Sequence, residues 1–329
     1  MPPTLRSLLP LALCAILSLP ACVTDETNGQ GPDESWQAPP PPEHGVQLSI
    51  ESFKLGSGEE VEKCRSAKAP ALTSGMIERI ELVARPGLHH AVVYKVSQDL
   101  DASEVDCFGV PDEAMEGFAI PEPLFASTSQ VTEETLNFPE GVGVAFEAGQ
   151  QIIFNFHYIN VTPDEIDAEI FINLHYAQDD TELEQARFYA FGNMGGIDIP
   201  AGHRQSLTST CTFPSDMNVF SATPHMHRLG TGMEVLLNRG SQTDQVLQAE
   251  DWQGASSVYL DPPAAVTAED TITFTCVWEN PTDTDVAFGQ TYNDEMCFVF
   301  GFVYPAPSAV WGFDYNDVCV TDSSVIEPL

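Results

Sequence analysis

The chain has 329 residues and a formal net charge of −37, from 49 acidic and 12 basic side chains. A surface this acidic repels phosphate backbones, which excludes nucleic-acid binding, and it attracts metal cations while repelling anionic substrates. The length exceeds what one hydrophobic core usually serves, so two folded domains are expected.

The first 21 residues predict an export signal. Arg6 supplies a positive charge ahead of an apolar run at 8–19, which is too short to cross a membrane as a helix. The run ends in Leu-Pro-Ala-Cys, which predicts a bacterial lipoprotein cleaved before Cys22 and acylated on it; an ordinary secretory signal with a chance cysteine is the alternative. Val23 stands where an aspartate would favour the inner membrane. We therefore expect an outer-membrane lipoprotein, facing the periplasm or the surface, with the lipid anchor as its only membrane contact.

A tether and two domains are predicted to follow. Residues 22–45 are rich in Pro, Gly and acidic residues, with four consecutive prolines at 39–42, a composition that predicts disorder. A polar, acidic stretch at 178–185 marks the predicted junction between an N-terminal domain at 46–185 and a C-terminal domain at 186–329.

Both domains are predicted to be all-β. Helical periodicity is nearly absent, and short runs of β-branched and aromatic residues recur between Gly, Pro, Asp and Asn, as in antiparallel β-sandwiches. The predicted strands include residues 77–84, 90–96, 151–160, 169–176, 218–226, 233–238, 271–278 and 296–304.

Each predicted domain carries a group of residues that suits a transition metal. Imidazole binds copper, zinc, iron and nickel, whereas a thioether is soft and selects chiefly for Cu(I). The pattern therefore predicts two copper sites, one in each domain. The ligands would be His89, His90 and His157 in the first domain and His225, His227 and Met296 in the second.

Strand alternation predicts the direction of these side chains. On its strand, His225 lies opposite Phe220 and Ala222, as His157 lies opposite Phe156. Both groups would project from the more polar faces of their domains, and they would face each other if those faces meet across an interdomain cleft.

The adjacent His89 and His90 would point to opposite faces of a regular strand. They can reach one metal only if the strand is distorted, and Pro86-Gly87 just before them predicts a bulge or a strand end at this point.

The same residues have simpler interpretations. Adjacent histidines occur as surface dipeptides, and a buried methionine is usually part of a core. The remaining histidines, His44, His175 and His203, are interpreted as non-ligands, with His175 lying in a strand without partners. The acidic residues are interpreted as solvated surface charge.

In their order along the chain, the motifs resemble those of the type II copper, ascorbate-dependent monooxygenases, the family of the peptidylglycine- and dopamine-hydroxylating enzymes. The resemblance covers residues 46–320. Its motifs are Gly87-Leu88-His89-His90, Phe156-His157-Tyr158, His225-Met226-His227-Arg228-Leu229-Gly230 and Glu295-Met296-Cys297, with Thr275-Cys276 and Tyr304-Pro305. It implies two jelly-roll-like antiparallel β-sandwich domains with one copper each. His89, His90 and His157 would hold the copper that supplies electrons. His225, His227 and Met296 would hold the copper that binds dioxygen and faces the substrate.

The function that this resemblance implies is that of an oxidoreductase. It would hydroxylate a C–H bond of a small organic substrate, using O2 and an external reductant such as ascorbate. We expect two coppers per chain and a monomer. The alternative is a non-enzymatic copper-binding lipoprotein of the cell envelope, for copper capture or electron transfer; a scaffold protein that inherited the fold is a third possibility.

Departures from the family pattern bear on the substrate. Thr223 stands where the peptide-amidating members carry an arginine for the substrate carboxylate, and Phe298 and Phe300 replace an asparagine and a tyrosine. Peptide C-termini are therefore not expected as substrates. The expected substrate is a neutral or cationic molecule with an apolar or aromatic body. Alternatively, Phe298, Phe300 and Phe302, which share a strand face, fill the second core.

Six cysteines remain beyond Cys22, and an even number in an exported chain predicts disulfides, with fifteen possible pairings. The resemblance implies Cys276–Cys297 and Cys211–Cys319, which leaves Cys64 with Cys107.

Overall fold

The computed structural model describes residues 36–69, 74–96, 104–105, 122–127, 131–178, 182–192, 195–252, 256–289, 293–307 and 319–329. The predicted export signal, the lipid attachment at Cys22, the tether up to residue 35 and Cys107 lie outside this range. Among the described residues, no helix is long and apolar enough to cross a membrane.

The described part of the chain is built of β-strands, which confirms the predicted all-β class. The eight predicted strands are present, with ends that differ by at most three residues. In the first half, β1 is Gly45–Ser49, β2 Phe53–Leu55, β3 Glu60–Lys68, β4 Gly75–Ala84, β5 Leu88–Val96, β6 Glu104–Val105, β7 Glu122–Ser127, β8 Glu133–Asn137, β9 Val142–Phe146, β10 Gln151–Ile159, β11 Ile166–Ala168, β12 Ile170–Tyr176 and β13 Glu184–Gln185. In the second half, β14 is Arg187–Gly192, β15 Asp198–Ile199, β16 His203–Thr212, β17 Met217–His225, β18 Gly230–Arg239, β19 Gln242–Ala249, β20 Val258–Val266, β21 Thr271–Asn280, β22 Val286–Ala287, β23 Phe298–Tyr304 and β24 Cys319–Pro328.

Each half contributes two large sheets. The first half has one sheet in the order β1-β12-β4-β9-β13, with β8 also pairing with β4, and a second in the order β6-β3-β10-β5-β7. The second half has a four-stranded sheet, β14-β23-β17-β20, and a five-stranded sheet, β19-β18-β21-β16-β24. The described strand pairs are antiparallel except β13 with β9, as expected for sandwiches whose apolar faces pack together.

The described end of the predicted tether is held against the first half. The carbonyl oxygens of Pro39 and Pro40 accept hydrogen bonds from the side chains of Gln47 (2.9 Å) and Asn173 (3.3 Å). Strand β1 already begins at Gly45. The chain is therefore fixed several residues earlier than composition alone indicates, because proline carbonyls remain good acceptors.

The four-stranded sheet of the second half is apolar on both faces. On one face, Val299 and Val303 of β23 belong to the second hydrophobic core. On the other, Phe188 of β14 and Phe302 of β23 belong to the core of the first half. The first core thus extends past residue 185, so the predicted junction at that position is not a break in the packing.

One predicted strand face is wrong. Phe220 and Ala222 should share a face by strict alternation, but Phe220 packs in the first core and Ala222 in the second. The cause is an irregularity in β17, whose pairing with β23 shifts register between Val219 and Thr223. A bulge of this kind reverses the side-chain direction on one side of the irregularity.

Two of the three expected disulfides are present. Cys211 is bonded to Cys319 and Cys276 to Cys297. Cys64 is buried, and because Cys107 lies outside the described residues, their pairing stays a prediction.

Candidate metal centres

The first candidate centre is formed by three histidines on neighbouring strands. His90 on β5 and His157 on β10 are direct cross-strand partners, so their side chains leave the same face of the sheet. The next cross-strand pair is Leu88 with Tyr158. His89 is skipped in this register and is therefore the extra residue of a β-bulge. The distortion that adjacent histidines require is therefore present, and all three side chains lie on one side.

Gly87 allows the chain to enter this bulge. Its φ is +103°, a conformation that side chains other than glycine rarely adopt. A Cβ at this position would also come within 2.7 Å of Ile166 Cδ1. The Pro86-Gly87 pair that predicted the irregularity is thus its structural cause.

The ring nitrogens of the three histidines converge. One ligand atom from each ring lies within 4.8 Å of the others, and the Nδ1 atoms of His89 and His90 are 3.5 Å apart. A metal bound to nitrogen at about 2.0–2.1 Å, the range for zinc, brings its ligand nitrogens to within about 4.2 Å of each other. His89, His90 and His157 therefore fit a metal ion of this size with ring shifts below an ångström.

Neighbouring polar side chains orient two of the rings. His157 Nε2 lies 2.7 Å from Glu60 Oε1, and His90 Nε2 lies 2.8 Å from Asn155 Oδ1. Asn155 is itself oriented, because its Nδ2 donates to Glu62 Oε1 at 3.3 Å. Since the two oxygens accept hydrogen bonds, each ring donates through Nε2 and keeps a lone pair on Nδ1, which in His90 lies 3.5 Å from Nδ1 of His89. Metal-binding histidines are commonly oriented by such a bond from the second ring nitrogen.

The rings are held in the form that binds metal. Burial, assisted by the neighbouring His157, lowers the pKa of His89 to about 4 and that of His90 to about 3. Burial also lowers the pKa of His225 well below its ordinary value. Because neutral imidazole is the ligand, these three side chains need lose no proton at neutral pH to bind a metal.

The second candidate centre lies where β17 ends. His225 is the last residue of the strand and the cross-strand partner of Phe298 on β23. The ring of His227, two residues further on, has its centroid 5.2 Å from that of His225. His227 Nδ1 lies 3.0 Å from the carbonyl oxygen of Asp294. A carbonyl can only accept, so Nδ1 carries the hydrogen and Nε2 keeps its lone pair for a metal.

Glu295 connects the two segments of this centre. Its carboxylate, which is fully buried, accepts hydrogen bonds from the backbone N–H of His227 (2.9 Å), the backbone N–H of Leu229 (2.7 Å) and Trp278 Nε1 (2.9 Å). Burial raises the pKa of Glu295 to about 7, against the opposing effect of these donors. The side chain therefore fixes the turn after His225 to the segment that carries Met296.

Replacing Glu295 by alanine should destabilise the fold by about 2–4 kcal/mol, because buried N–H donors lose their acceptor. Denaturant unfolding of the metal-free chain measures the effect. The control is Glu279→Ala, at an exposed position of β21, which should change stability by less than about 0.5 kcal/mol. Equal effects of the two substitutions would contradict the role given to Glu295.

Met296 is half-buried and fixed on both sides. Glu295 before it is bonded to the turn at His227, and Cys297 after it is bonded to Cys276 on β21. Two residues beyond it, Phe298 pairs with His225. The backbone of Met296 is therefore held close to both histidines of the second group.

The two groups of histidines influence each other electrostatically. After burial, which is the largest cause, the charges of His227, His90 and His89 lower the pKa of His225. The ring of Trp252, from the second half, has its centroid 5.2 Å from that of His89. An aromatic side chain, rather than open solvent, thus lies against the first group at this point of the expected cleft.

Two interpretations of polar residues from the sequence are wrong: that of Glu295, which belongs to the second centre, and that of His175, which belongs to neither. The interpretation of the acidic residues as solvated surface charge does not hold for Glu295, which is buried, although its position beside Met296 is a usable signal. His175 was interpreted as having no partner, whereas its Nε2 lies 3.3 Å from Glu81 Oε2 and its Nδ1 lies 2.9 Å from Arg79 Nη2.

The phenylalanines of β23 form a row that begins beside His225. The ring centroids of Phe300 and His225 are 5.4 Å apart, and Phe298 stacks on Phe300 at 5.6 Å. Phe302, further along, packs on Phe220 in the first core. Phe302 therefore does not fill the second core, and the half-buried Phe300 lies at the candidate centre.

A family model, the C-terminal domain of copper type II ascorbate-dependent monooxygenases, matches residues 189–321. The matched range includes His225, His227 and Met296. It also includes both disulfides of the second half. The match supports the family that the sequence motifs resemble, and that family is copper- and ascorbate-dependent.

Solved structures align with the chain only at low similarity. A Bacteroides ovatus protein assigned as an alpha-L-fucosidase is 12% identical, with a TM-score of 0.19, over 77% of this chain and 39% of that chain. Vicilin from tomato is 8% identical, with a TM-score of 0.19, over 88% of this chain and 84% of that chain. Truncated AlyQ with CBM32 and alginate lyase domains is 8% identical, with a TM-score of 0.17, over 87% of this chain and 100% of that chain. The chain spans about two-fifths of the length of the first of these. Alignments of this quality carry no argument about fold or function.

Proposed function

We propose that the chain is a copper monooxygenase that hydroxylates a C–H bond of a small organic molecule with O2 and a reductant such as ascorbate. The family match over residues 189–321 is the observation that carries the proposal. The convergence of His89, His90 and His157 in the half outside that match supports it independently.

The side chains present fit the chemistry of copper. His89, His90 and His157 would hold one ion through three imidazole nitrogens. His225, His227 and Met296 would hold the second, and the thioether makes this second set the softer and the more favourable to Cu(I). Copper, when bound, supplies the one-electron redox chemistry towards dioxygen that side chains lack.

The protein contributes orientation and exclusion of water. Glu60 and Asn155 fix two rings of the first set, and Glu295 fixes the turn of the second. Burial keeps His89, His90 and His225 neutral, so no proton competes with the metal. The Phe300 ring beside His225 provides an apolar wall on which the body of a substrate would pack.

Substrate-dependent oxygen uptake tests the function. The full chain, supplied with copper and ascorbate, would be offered a set of small organic molecules. Products would be searched by mass for the gain of one oxygen atom. Uptake that never depends on an organic molecule would support copper capture or electron transfer instead.

Two coppers per chain are expected, since the ligand sets lie on different strands and share no residue. Metal analysis after reconstitution and removal of loosely bound ions measures the ratio. His90→Ala and His227→Ala should each reduce it to one. A wild-type ratio of one, or preferential retention of zinc, would contradict the assignment.

We also propose that the enzyme lies in a bacterial cell envelope, where a lipid attached to Cys22 anchors it. The two disulfides of the second half support an oxidising compartment, because disulfides form and persist outside the reducing cytosol. The small substrate would then reach the enzyme from the periplasm or from the medium.

A further inference from the structure

His89 differs from the other two ligands of the first candidate centre in how its ring is held. Glu60 accepts a hydrogen bond from His157, and Asn155 accepts one from His90. The Nε2 atom of His89 is buried, and no group in the described part of the chain forms a hydrogen bond with it. The ring of His89 therefore lacks the polar contact that orients its two neighbours, and packing has to fix it instead.

The backbone adds little to the orientation of this ring. His89 is the extra residue of the bulge in β5, so it has no direct partner on β10. The cross-strand pairing that sets the direction of His90 and His157 therefore does not act on His89.

Three aromatic rings pack against His89. Their centroids lie 4.8 Å away for His157, 5.2 Å away for Trp252 and 5.7 Å away for His90. Two of these rings are themselves candidate ligands, and a bound metal would draw their nitrogens together. The indole of Trp252, tilted by 45° to the imidazole, is the contact of this group that is not a ligand.

The second half holds Trp252 in place. Strand β19 ends three residues earlier at Ala249, which is buried and pairs with Met233 of β18. Trp252 is half-buried and packs against the second hydrophobic core. The indole is thus anchored independently of the three histidines, which allows it to restrict the ring of His89.

An indole at this place also acts on charge. An imidazole that binds a metal ion shares part of the positive charge of the ion. Aromatic rings attract a positive charge within about 6 Å of their centroid, and tryptophan does so most strongly. The contact between Trp252 and His89 should therefore strengthen when a metal binds, and more with Cu(II) than with Cu(I).

We propose that Trp252 is a positioning residue of the first centre, which holds the ring of His89 for the metal and favours the Cu(II) state there. The proposal rests on the proposed function for the identity of the metal. It assigns part of the first centre to the second half of the chain, outside the histidine motifs. The reduction potential of the first copper would then depend on the contact between the halves.

Copper affinity, measured separately at each centre, tests the proposal. His227→Ala isolates the first centre and His90→Ala isolates the second, and competition with chelators gives the affinities for Cu(I) and Cu(II). In the first background, Trp252→Leu should lower Cu(II) affinity by about tenfold, the lower end of the range for residues that orient metal ligands. Cu(I) affinity should fall less, so the reduction potential should rise. In the second background, both affinities should stay unchanged.

Two further variants separate the ring from the bulk of the side chain. Leucine keeps apolar bulk against the second core but has no aromatic ring, whereas Trp252→Phe keeps a ring and should restore most of the Cu(II) affinity. The electron paramagnetic resonance spectrum of Cu(II) at the first centre should change in Trp252→Leu and stay close to wild type in Trp252→Phe. Gln248→Ala, at an exposed position of β19, is the matched control and should change neither quantity.

Fluorescence provides a measurement that does not depend on the leucine variant folding. Cu(II) bound at the first centre should quench the emission of Trp252, because a paramagnetic ion quenches an indole that packs on one of its ligands. Trp252→Phe should bind the same copper and lose this part of the quenching. Equal quenching in the two proteins would contradict the proposed contact.

Three other results would overturn the proposal. They are unchanged Cu(II) affinity of the first centre in Trp252→Leu, an equal loss at both centres, and a phenylalanine variant no better than the leucine variant. Failure of the proposed function is distinguishable, because a loss confined to the first centre, in a chain that never consumes oxygen with an organic molecule, would leave the role of Trp252 standing and remove only the reaction.

Discussion

Replacing His225 by alanine should abolish product formation even in a single turnover of the fully reduced chain. His225 is the last residue of β17 and pairs with Phe298 of β23. Burial keeps its ring neutral, and the ring of Phe300 packs beside it. Mutating a residue that only orients a metal ligand typically lowers metal affinity or activity by 10- to 100-fold. Removing the ligand itself should therefore lower the product yield by more than about 100-fold.

The measurement is rapid mixing of the reduced variant with O2 and substrate, followed by quantification of the hydroxylated product. His203→Ala is the matched control. His203 lies in the same half, and its Nδ1 donates to the Ala201 carbonyl at 2.8 Å, so this variant should react normally. His157→Ala should impair electron delivery during repeated turnover. Product from His225→Ala in a single turnover would refute the role of the second centre.

Replacing Met296 by isoleucine should stop turnover and weaken Cu(I) binding by at least about tenfold, because isoleucine offers bulk but no soft ligand atom. The fold should survive, since Met296 is only half-buried and its backbone is held by Glu295 and by the Cys276–Cys297 disulfide.

Competition with a Cu(I) chelator measures the affinity, and circular dichroism checks the fold. Met226→Leu is the control: Met226 is buried in the second core, so the substitution should leave Cu(I) affinity unchanged. If Met296→Ile keeps its activity, Met296 is a packing residue and the ligand set is wrong.

Several features could be derived from the sequence because they depend on local rules. Two-residue alternation was sufficient to predict the direction of His157 and of the phenylalanines of β23. The pair Pro86-Gly87 was sufficient to predict the bulge, because adjacent histidines cannot share a face of a regular strand and glycine is needed at the φ of +103° that the chain adopts there.

Other features depend on contacts that no local pattern encodes. Glu60 reaches His157 across 97 positions of sequence, and Glu62 reaches Asn155 across 93. In the sequence, acidic residues that make such contacts cannot be distinguished from the others, because the chain has 49 acidic residues in all. The reversal at Phe220 was missed for a different reason: the irregularity in β17 has no glycine or proline of its own at that point, and only the pairing with β23 reveals it.

The four-stranded sheet that packs into both cores has a consequence for how the molecule unfolds. A fragment beginning at residue 186 would expose Phe188, Phe220 and Phe302 to water, and each such side chain contributes roughly 1.5–3 kcal/mol when buried. Such a fragment would self-associate rather than behave as an autonomous module. In the intact chain, these phenylalanines of the second half are part of the interior of the first half, so heat or denaturant should melt the two halves in one cooperative transition.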